Sequence, residues 1–145
     1  MPNCMNGSLH TEKKEIYKKK LEAEQNKFAD LYIQMISTIE SKKLYLEPRL
    51  TQEDVIRYLG TNRNYLYVAL KKYCNTNFKG LLNVYRVRYA QSLLQNKIID
   101  REKYLLSDVY VDCGFSTNES FYRTFKNLTG TSPGKYVEQV ETGLS

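Results

Sequence analysis

The sequence predicts an all-α fold: two helix-turn-helix subdomains joined by a long linker helix and preceded by an N-terminal amphipathic helix. Three observations predict it. Apolar residues recur at helical spacing, and no strand-like alternation survives inspection. Residues 50–82 and 104–137 repeat one another in order once a single-residue insertion is allowed. Each copy is centred on a glycine turn, Gly60-Thr61-Asn62 in the first and Gly114-Phe115-Ser116 in the second. At an offset of 54, Asp54, Val55 and Gly60 fall on Asp108, Val109 and Gly114. At an offset of 55, Asn64, Leu66, Tyr67, Leu70, Lys71 and Thr76 fall on Glu119, Phe121, Tyr122, Phe125, Lys126 and Thr131. A helix-turn-helix sets its second helix to enter a DNA major groove, so two in one chain imply one molecule reading two grooves.

The elements follow in order. Residues 1–11 are expected as a disordered tail, and residues 12–43 as a helix for signalling or dimerisation. Within it, Glu12 to Glu40 is charged at first and apolar from Phe28. Leu21, Phe28 and Met35 lie seven apart, but two heptads fall short of the three or four a coiled coil needs. The stripe is therefore read first as a face packed on the following domain, with a homodimer through residues 21–39 as the alternative. Residues 44–95 hold the first helix-turn-helix and the linker. After a break containing Pro48, Thr51 opens a helix, with Asp54 three residues on to complete a capping box. That helix buries Val55, Ile56 and Leu59. Gly60 supplies a positive φ, Asn62 caps the next helix, and Arg63–Tyr73 buries Leu66, Ala69 and Leu70 before Asn75 ends it. The linker runs from Phe78 to about Gln95.

Residues 96–139 hold the second copy: a polar loop at Asn96–Lys103, a helix near Leu105–Cys113, and a helix at Thr117–Leu128 burying Phe121, Phe125 and Leu128. Gly130 stops that helix, and Pro133–Gln139 forms a short last one before a tail at 140–145.

Composition narrows the function. The chain carries 22 Lys+Arg against 16 Asp+Glu, a net charge of +6 and a pI near 9.1. Residues 48–145 hold 14 basic against 9 acidic side chains, so the excess sits with the repeats, as phosphate contact requires. Cys4, Cys74 and Cys113 form no C-x-x-C pair and no even-numbered framework, and His10 is the sole histidine. No metal or cofactor site is indicated, and the isolated thiols fit a reducing cytoplasm. No stretch approaches the roughly 18–20 apolar residues of a membrane span.

The stretch Leu106-Ser-Asp-Val-Tyr-Val-Asp-Cys-Gly-Phe-Ser, followed by Phe121-Tyr-Arg-Thr-Phe-Lys-Asn-Leu-Thr-Gly-Thr-Ser-Pro-Gly-Lys-Tyr136, resembles the C-terminal signature of the AraC/XylS family of bacterial transcription regulators. Upstream, Leu50-Thr-Gln-Glu-Asp-Val, Leu59-Gly60, Asn64-Tyr-Leu and Tyr85-Arg-Val-Arg-Tyr-Ala90 fit the same pattern, so the resemblance covers about residues 44–139. It implies a module of about seven helices with two recognition helices in successive major grooves. It also implies double-stranded DNA and RNA polymerase as partners, and no enzymatic activity. Three departures stand out. Ile56 and Tyr110 replace a small Ala at the helix contact, Val68 replaces a basic residue, and the usual sensory domain is missing. The chain is then either a self-sufficient regulator or the DNA-binding output of a larger sensor.

By helical geometry and family position, Asn64, Tyr67 and Val68 in the first copy, and Asn118, Tyr122 and Arg123 in the second, face base edges. Asn pairs with adenine, Val68 packs on a thymine methyl, and Arg123 pairs with guanine, a phosphate clamp being the alternative for Arg123. Glu119 is read as the partner of Ser116 in a capping box, ahead of a cytosine contact. Arg63, Lys71, Lys79, Arg88 and Lys126 are expected on phosphates. The resemblance gives Arg86 a competing structural role in locking the linker helix. Two other classes compete: a DNA-repair methyltransferase, which needs a reactive cysteine with partners, and a helical interaction module acting through the N-terminal helix.

Overall fold

The computed structural model describes the backbone of residues 2–144 and the side chains of residues 11–143. Met1 and Ser145, and the side chains of Cys4 and His10, lie outside the described residues. Among the described residues seven α-helices follow one another: α1 (Pro2–Ser41), α2 (Gln52–Leu59), α3 (Arg63–Tyr73), α4 (Phe78–Ile99), α5 (Val109–Asp112), α6 (Asn118–Thr129) and α7 (Pro133–Leu144). Short 3-10 turns at Leu44–Leu46 and Leu106–Asp108 precede the two helix-turn-helix units, and no strand occurs among the described residues.

Two cores divide the molecule. Met35, Ile39, Val55, Leu66, Leu70, Phe78, Leu81 and Leu82 form the first, and Val87, Ala90, Leu94, Val109, Cys113, Phe115, Phe121 and Phe125 the second. The linker α4 therefore changes cores along its length, contributing residues 78–82 to one and residues 87–94 to the other. The 55-residue offset reaches further upstream than the sequence repeat. Met35 and Ile39 of α1 correspond to Ala90 and Leu94 of α4, and all four are fully buried. Each structural repeat is thus a supporting helix plus a helix-turn-helix.

The first copy matches its sequence signals closely. The Thr51 hydroxyl accepts from the Asp54 backbone N–H at 3.2 Å, and the Asp54 carboxylate accepts from the Thr51 N–H at 2.9 Å, completing the box. Gly60 ends α2 at φ 65°, Asn62 caps α3, and Asn75 is left-handed at φ 52°. Ile56 and Leu59 are only half-buried, whereas Val55 is buried.

Several expectations are corrected. Helical backbone runs from Pro2 through the segment expected as a disordered tail. Proline is pre-organised for a first helical turn, and no other proline interrupts before Pro48. Of the seam Leu21, Phe28, Met35, only Met35 is taken into the chain's own first core, together with Leu31 and Ile39, whereas Leu21 and Ile33 of the same helix are exposed. The helix expected at Leu105–Cys113 is a 3-10 turn plus the single turn of α5. Its Val109 and Val111 are β-branched, and Leu105 stands where Thr51 caps the first copy, with no polar side chain to do so. α4 continues to Ile99 through part of the expected loop, and α7 continues to Leu144 through most of the expected tail.

Leu128, expected in the core, is 50% exposed. Its counterpart Tyr73 is stacked on Tyr32 of α1 at 5.2 Å, but Val87 occupies the position equivalent to Tyr32. The shorter side chain leaves an open hollow lined by Val84, Val87, Arg88, Gln91, Leu128 and Thr129.

Candidate nucleic-acid interface

α3 presents two unlike faces. Tyr65 and Tyr73 lie against α1: Phe28 meets the Tyr65 ring edge-on at 5.4 Å, the Lys27 ammonium donates to the Tyr65 hydroxyl at 3.3 Å, and Tyr32 stacks on Tyr73. With Leu66, Ala69 and Leu70 buried, these side chains take up one side of the helix. At about 100° per residue, Asn64, Tyr67, Val68 and Lys71 fall on the opposite side, away from α1. Asn64, Tyr67 and Lys71 are exposed and Val68 is half-buried. The Lys71 ammonium sits 5.8 Å from the centre of the Tyr67 ring. Arg63 is exposed but pairs with Glu53 of α2, an ion pair open to solvent and so a weak one.

α6 repeats the arrangement. Phe121 and Phe125 are buried, while Asn118, Glu119, Tyr122, Arg123 and Lys126 are exposed. On the helical wheel Glu119, Arg123 and Lys126 lie at the centre of the open face, with Asn118 and Tyr122 toward one flank. The N-cap corrects an expectation. Thr117, not Ser116, caps α6, its hydroxyl accepting from the Ser120 N–H at 3.1 Å. Glu119 is therefore the second residue of the helix, and the capping box through Ser116 does not form.

Lys79 and Arg88 are both exposed on α4, Lys79 in its first turn and Arg88 beside the end of α6.

A three-way joint ties the two lobes. Arg86, 7% exposed, donates from Nε to the Tyr45 carbonyl at 2.7 Å and from Nη2 to the Glu47 carbonyl at 2.9 Å. Burial lowers its pKa, and the Glu47 carboxylate acts in the opposite sense. Its guanidinium also lies 5.9 Å from the Phe115 ring centre. Gly114, at φ 85°, brings the second turn against the same segment: a Cβ there would stand 2.2 Å from the Tyr45 carbonyl oxygen and 3.0 Å from Arg86 Nε. Arg86 is thus a strut between the lobes, the structural alternative read for it. Beyond it, Tyr136 anchors α7, its ring 5.5 Å from Phe125 and its hydroxyl accepting from Gln95 at 2.7 Å.

The thiols give little to nucleophilic chemistry. Burial, and then the nearby Asp112 charge, push the Cys113 thiol up to about 12, the opposite of an activated nucleophile. Cys74 is half-buried at the end of α3. Among the described residues no group of three or more His, Cys, Asp or Glu side chains is placed to hold a metal, and no helix is long and apolar enough to cross a membrane.

Residues 55–139 match a family model described as a helix-turn-helix domain. The chain is 29% identical over 92 residues to the Msm operon regulatory protein of Streptococcus mutans, an overlap of 63% of this chain and 31% of that protein. It is 30% identical over 93 residues to YtdP of Bacillus subtilis, an uncharacterized HTH-type transcriptional regulator, covering 64% of this chain and 11% of the relative. The chain thus spans a third or less of the length of these curated relatives. Among solved structures it is similar to the C-terminal domain of AraT, a response regulator from Geobacillus stearothermophilus (TM-score 0.65, 24% identity, 75% of this chain and 84% of that one). It is also similar to an AraC-type transcriptional regulator from Chromobacterium violaceum (TM-score 0.64, 22% identity, 77% of this chain and 93% of that one). These two likenesses are of fold.

Proposed function

The chain belongs to the AraC-type helix-turn-helix family, and we propose that it is a sequence-specific transcription regulator reading two successive major grooves of one DNA duplex. One observation carries this reading: α3 and α6 expose the same register of side chains while their other faces are buried in two cores braced by Arg86 and Gly114. Asn64, Tyr67 and Val68, with Asn118, Tyr122 and Arg123, read bases. Arg63, Lys71, Lys79, Arg88 and Lys126 hold phosphates. The protein acts by binding and not by catalysis, in the cytoplasm, with RNA polymerase as its second partner. A second reading, the DNA-binding output of a larger sensor, is favoured by the 31% and 11% shares of its relatives' lengths.

Selection of bound sites from random duplex DNA tests the reading. Arg123→Ala costs about 1–3 kcal/mol at the cognate site and relaxes one base position, whereas Lys126→Ala weakens all sequences alike. Log affinity against log salt falls with a slope of about −0.9 per phosphate neutralised. A salt-independent affinity, or an Arg123→Ala logo identical to the parent's, contradicts it.

A further inference from the structure

We infer that Glu119 is a specificity-determining residue that selects a cytosine in the half-site read by α6, the counterpart of what Asn64 does in the other half-site. The inference rests on the DNA-reading function proposed above and deepens it.

The register of the two helices carries the argument. The Asn62 side chain accepts from the Tyr65 N–H at 2.9 Å and caps α3; the Thr117 side chain accepts from the Ser120 N–H at 3.1 Å and caps α6. Both the caps and their donors stand 55 residues apart, so the two recognition helices start in identical register. Asn64 and Glu119 are then the same position, two residues after the cap, on the side opposite each core. A capping box through Ser116 would have folded the Glu119 carboxylate back onto the helix start. With Thr117 as cap, that carboxylate is exposed and has no hydrogen bond or ion pair among the described residues.

Its neighbours define what it meets. Arg123 is one turn further along the same face, and Lys126 nearly eclipses Glu119 about 10 Å along the axis. Lysine and arginine on this face draw the phosphates in. A carboxylate among them is repelled by phosphate and has one favourable partner on duplex DNA, the exocyclic amino group of a base. Of the two major-groove amino donors, adenine N6 stands beside the N7 acceptor, which repels a carboxylate, so cytosine N4 is the one Glu reads. Arg123 on the adjacent turn reads guanine, so the α6 half-site is rich in G·C while the α3 half-site, read by Asn64 and Val68, is rich in A·T. The two halves then differ, and the protein binds in one orientation. A carboxylate in the first helical turn also favours the helix dipole, by an amount a melting curve detects and a base preference does not.

The test is site selection from random duplexes with the full chain, its Glu119→Ala, Glu119→Gln and Asn64→Ala variants, and thermal melts of each. The parent shows two clusters of specified base pairs. Glu119→Ala lowers the preference for one C by about tenfold and leaves other positions unchanged. Glu119→Gln moves that position toward A, the base Gln reads. Asn64→Ala relaxes a position in the other cluster, about 10–10.5 base pairs away. A Glu119→Ala logo identical to the parent's overturns the inference, as does uniformly tighter binding to every sequence, which would make the carboxylate a mere repulsive charge. A parent chain that enriches no sequence overturns the DNA-reading function itself.

Discussion

Gly60 and Gly114 occupy equivalent turns in the two repeats, and alanine at each separates backbone strain from contact between the lobes. Both are left-handed, at φ 65° and φ 85°, a conformation that costs an L-residue about 1–2 kcal/mol. Around Gly60 a new Cβ meets nothing within 4 Å, so Gly60→Ala costs that strain alone. At Gly114 the Cβ lands 2.2 Å from the Tyr45 carbonyl oxygen and 3.0 Å from the Leu46 Cα, both backbone atoms that cannot swing away. Overpacking of this kind adds about 1–3 kcal/mol, which puts Gly114→Ala at about 2–5 kcal/mol in all. Urea unfolding of the two variants, followed by circular dichroism, measures the difference. Equal midpoints would refute the claim that the second turn is docked on the first lobe. A Gly114→Ala protein that stays folded should also bind the two-groove site less tightly, because its recognition helices no longer hold one spacing.

The remaining predictions concern the joint and a helix start. Arg86→Ala leaves the Tyr45 and Glu47 carbonyls without their charged donor and destabilises by about 2–4 kcal/mol; Arg86→Lys, lacking the forked geometry, recovers only part of it in the same urea titration. Thr51→Ala removes the cap of α2 and costs about 1 kcal/mol at neutral pH. The Asp54 carboxyl is held below its ordinary 3.8 by the Thr51 backbone N–H, then by the Thr51 hydroxyl and the Arg57 charge. A carboxyl depressed on folding stabilises the protein above its unfolded value and loses that contribution as pH falls through the folded one. Melting temperature should therefore drop below pH 3.8, and less steeply in Thr51→Ala, whereas parallel acid limbs would contradict the cap's role.

Local signals were legible where they had no rival. Asn62 before Arg63 and Asn75 after Tyr73 bound α3 at the residues the sequence indicates, because cap and stop are both set within a few residues. Ser116 and Thr117 are adjacent hydroxyls, either able to cap, and the path of the Gly114 turn around the Tyr45 segment decides between them. The repeat held the answer, since Asn62 plus 55 is Thr117, but only once the offset is applied to the cap as well as to the helix. Leu128 follows helical spacing and is still exposed, because its burial depends on the size of a side chain 41 residues away, Val87. α4 runs on through Asn96–Ile99, where no glycine or proline ends it, and α7 runs on through Val140–Leu144 despite Gly143, so neither end is marked by a local stop signal that holds. For the site, the exposed faces were readable from periodicity. The lobe-to-lobe brace was only half readable, since Arg86 acts on carbonyls that no sequence pattern marks.

Hydroxyl-radical footprinting on a selected duplex is the most direct check that both recognition helices engage one DNA molecule together. Two protected patches on the same face, centred about 10–10.5 base pairs apart, are the expected result, with Asn64→Ala weakening one patch and Arg123→Ala the other. A single patch, unchanged by variants in one of the helices, would contradict it.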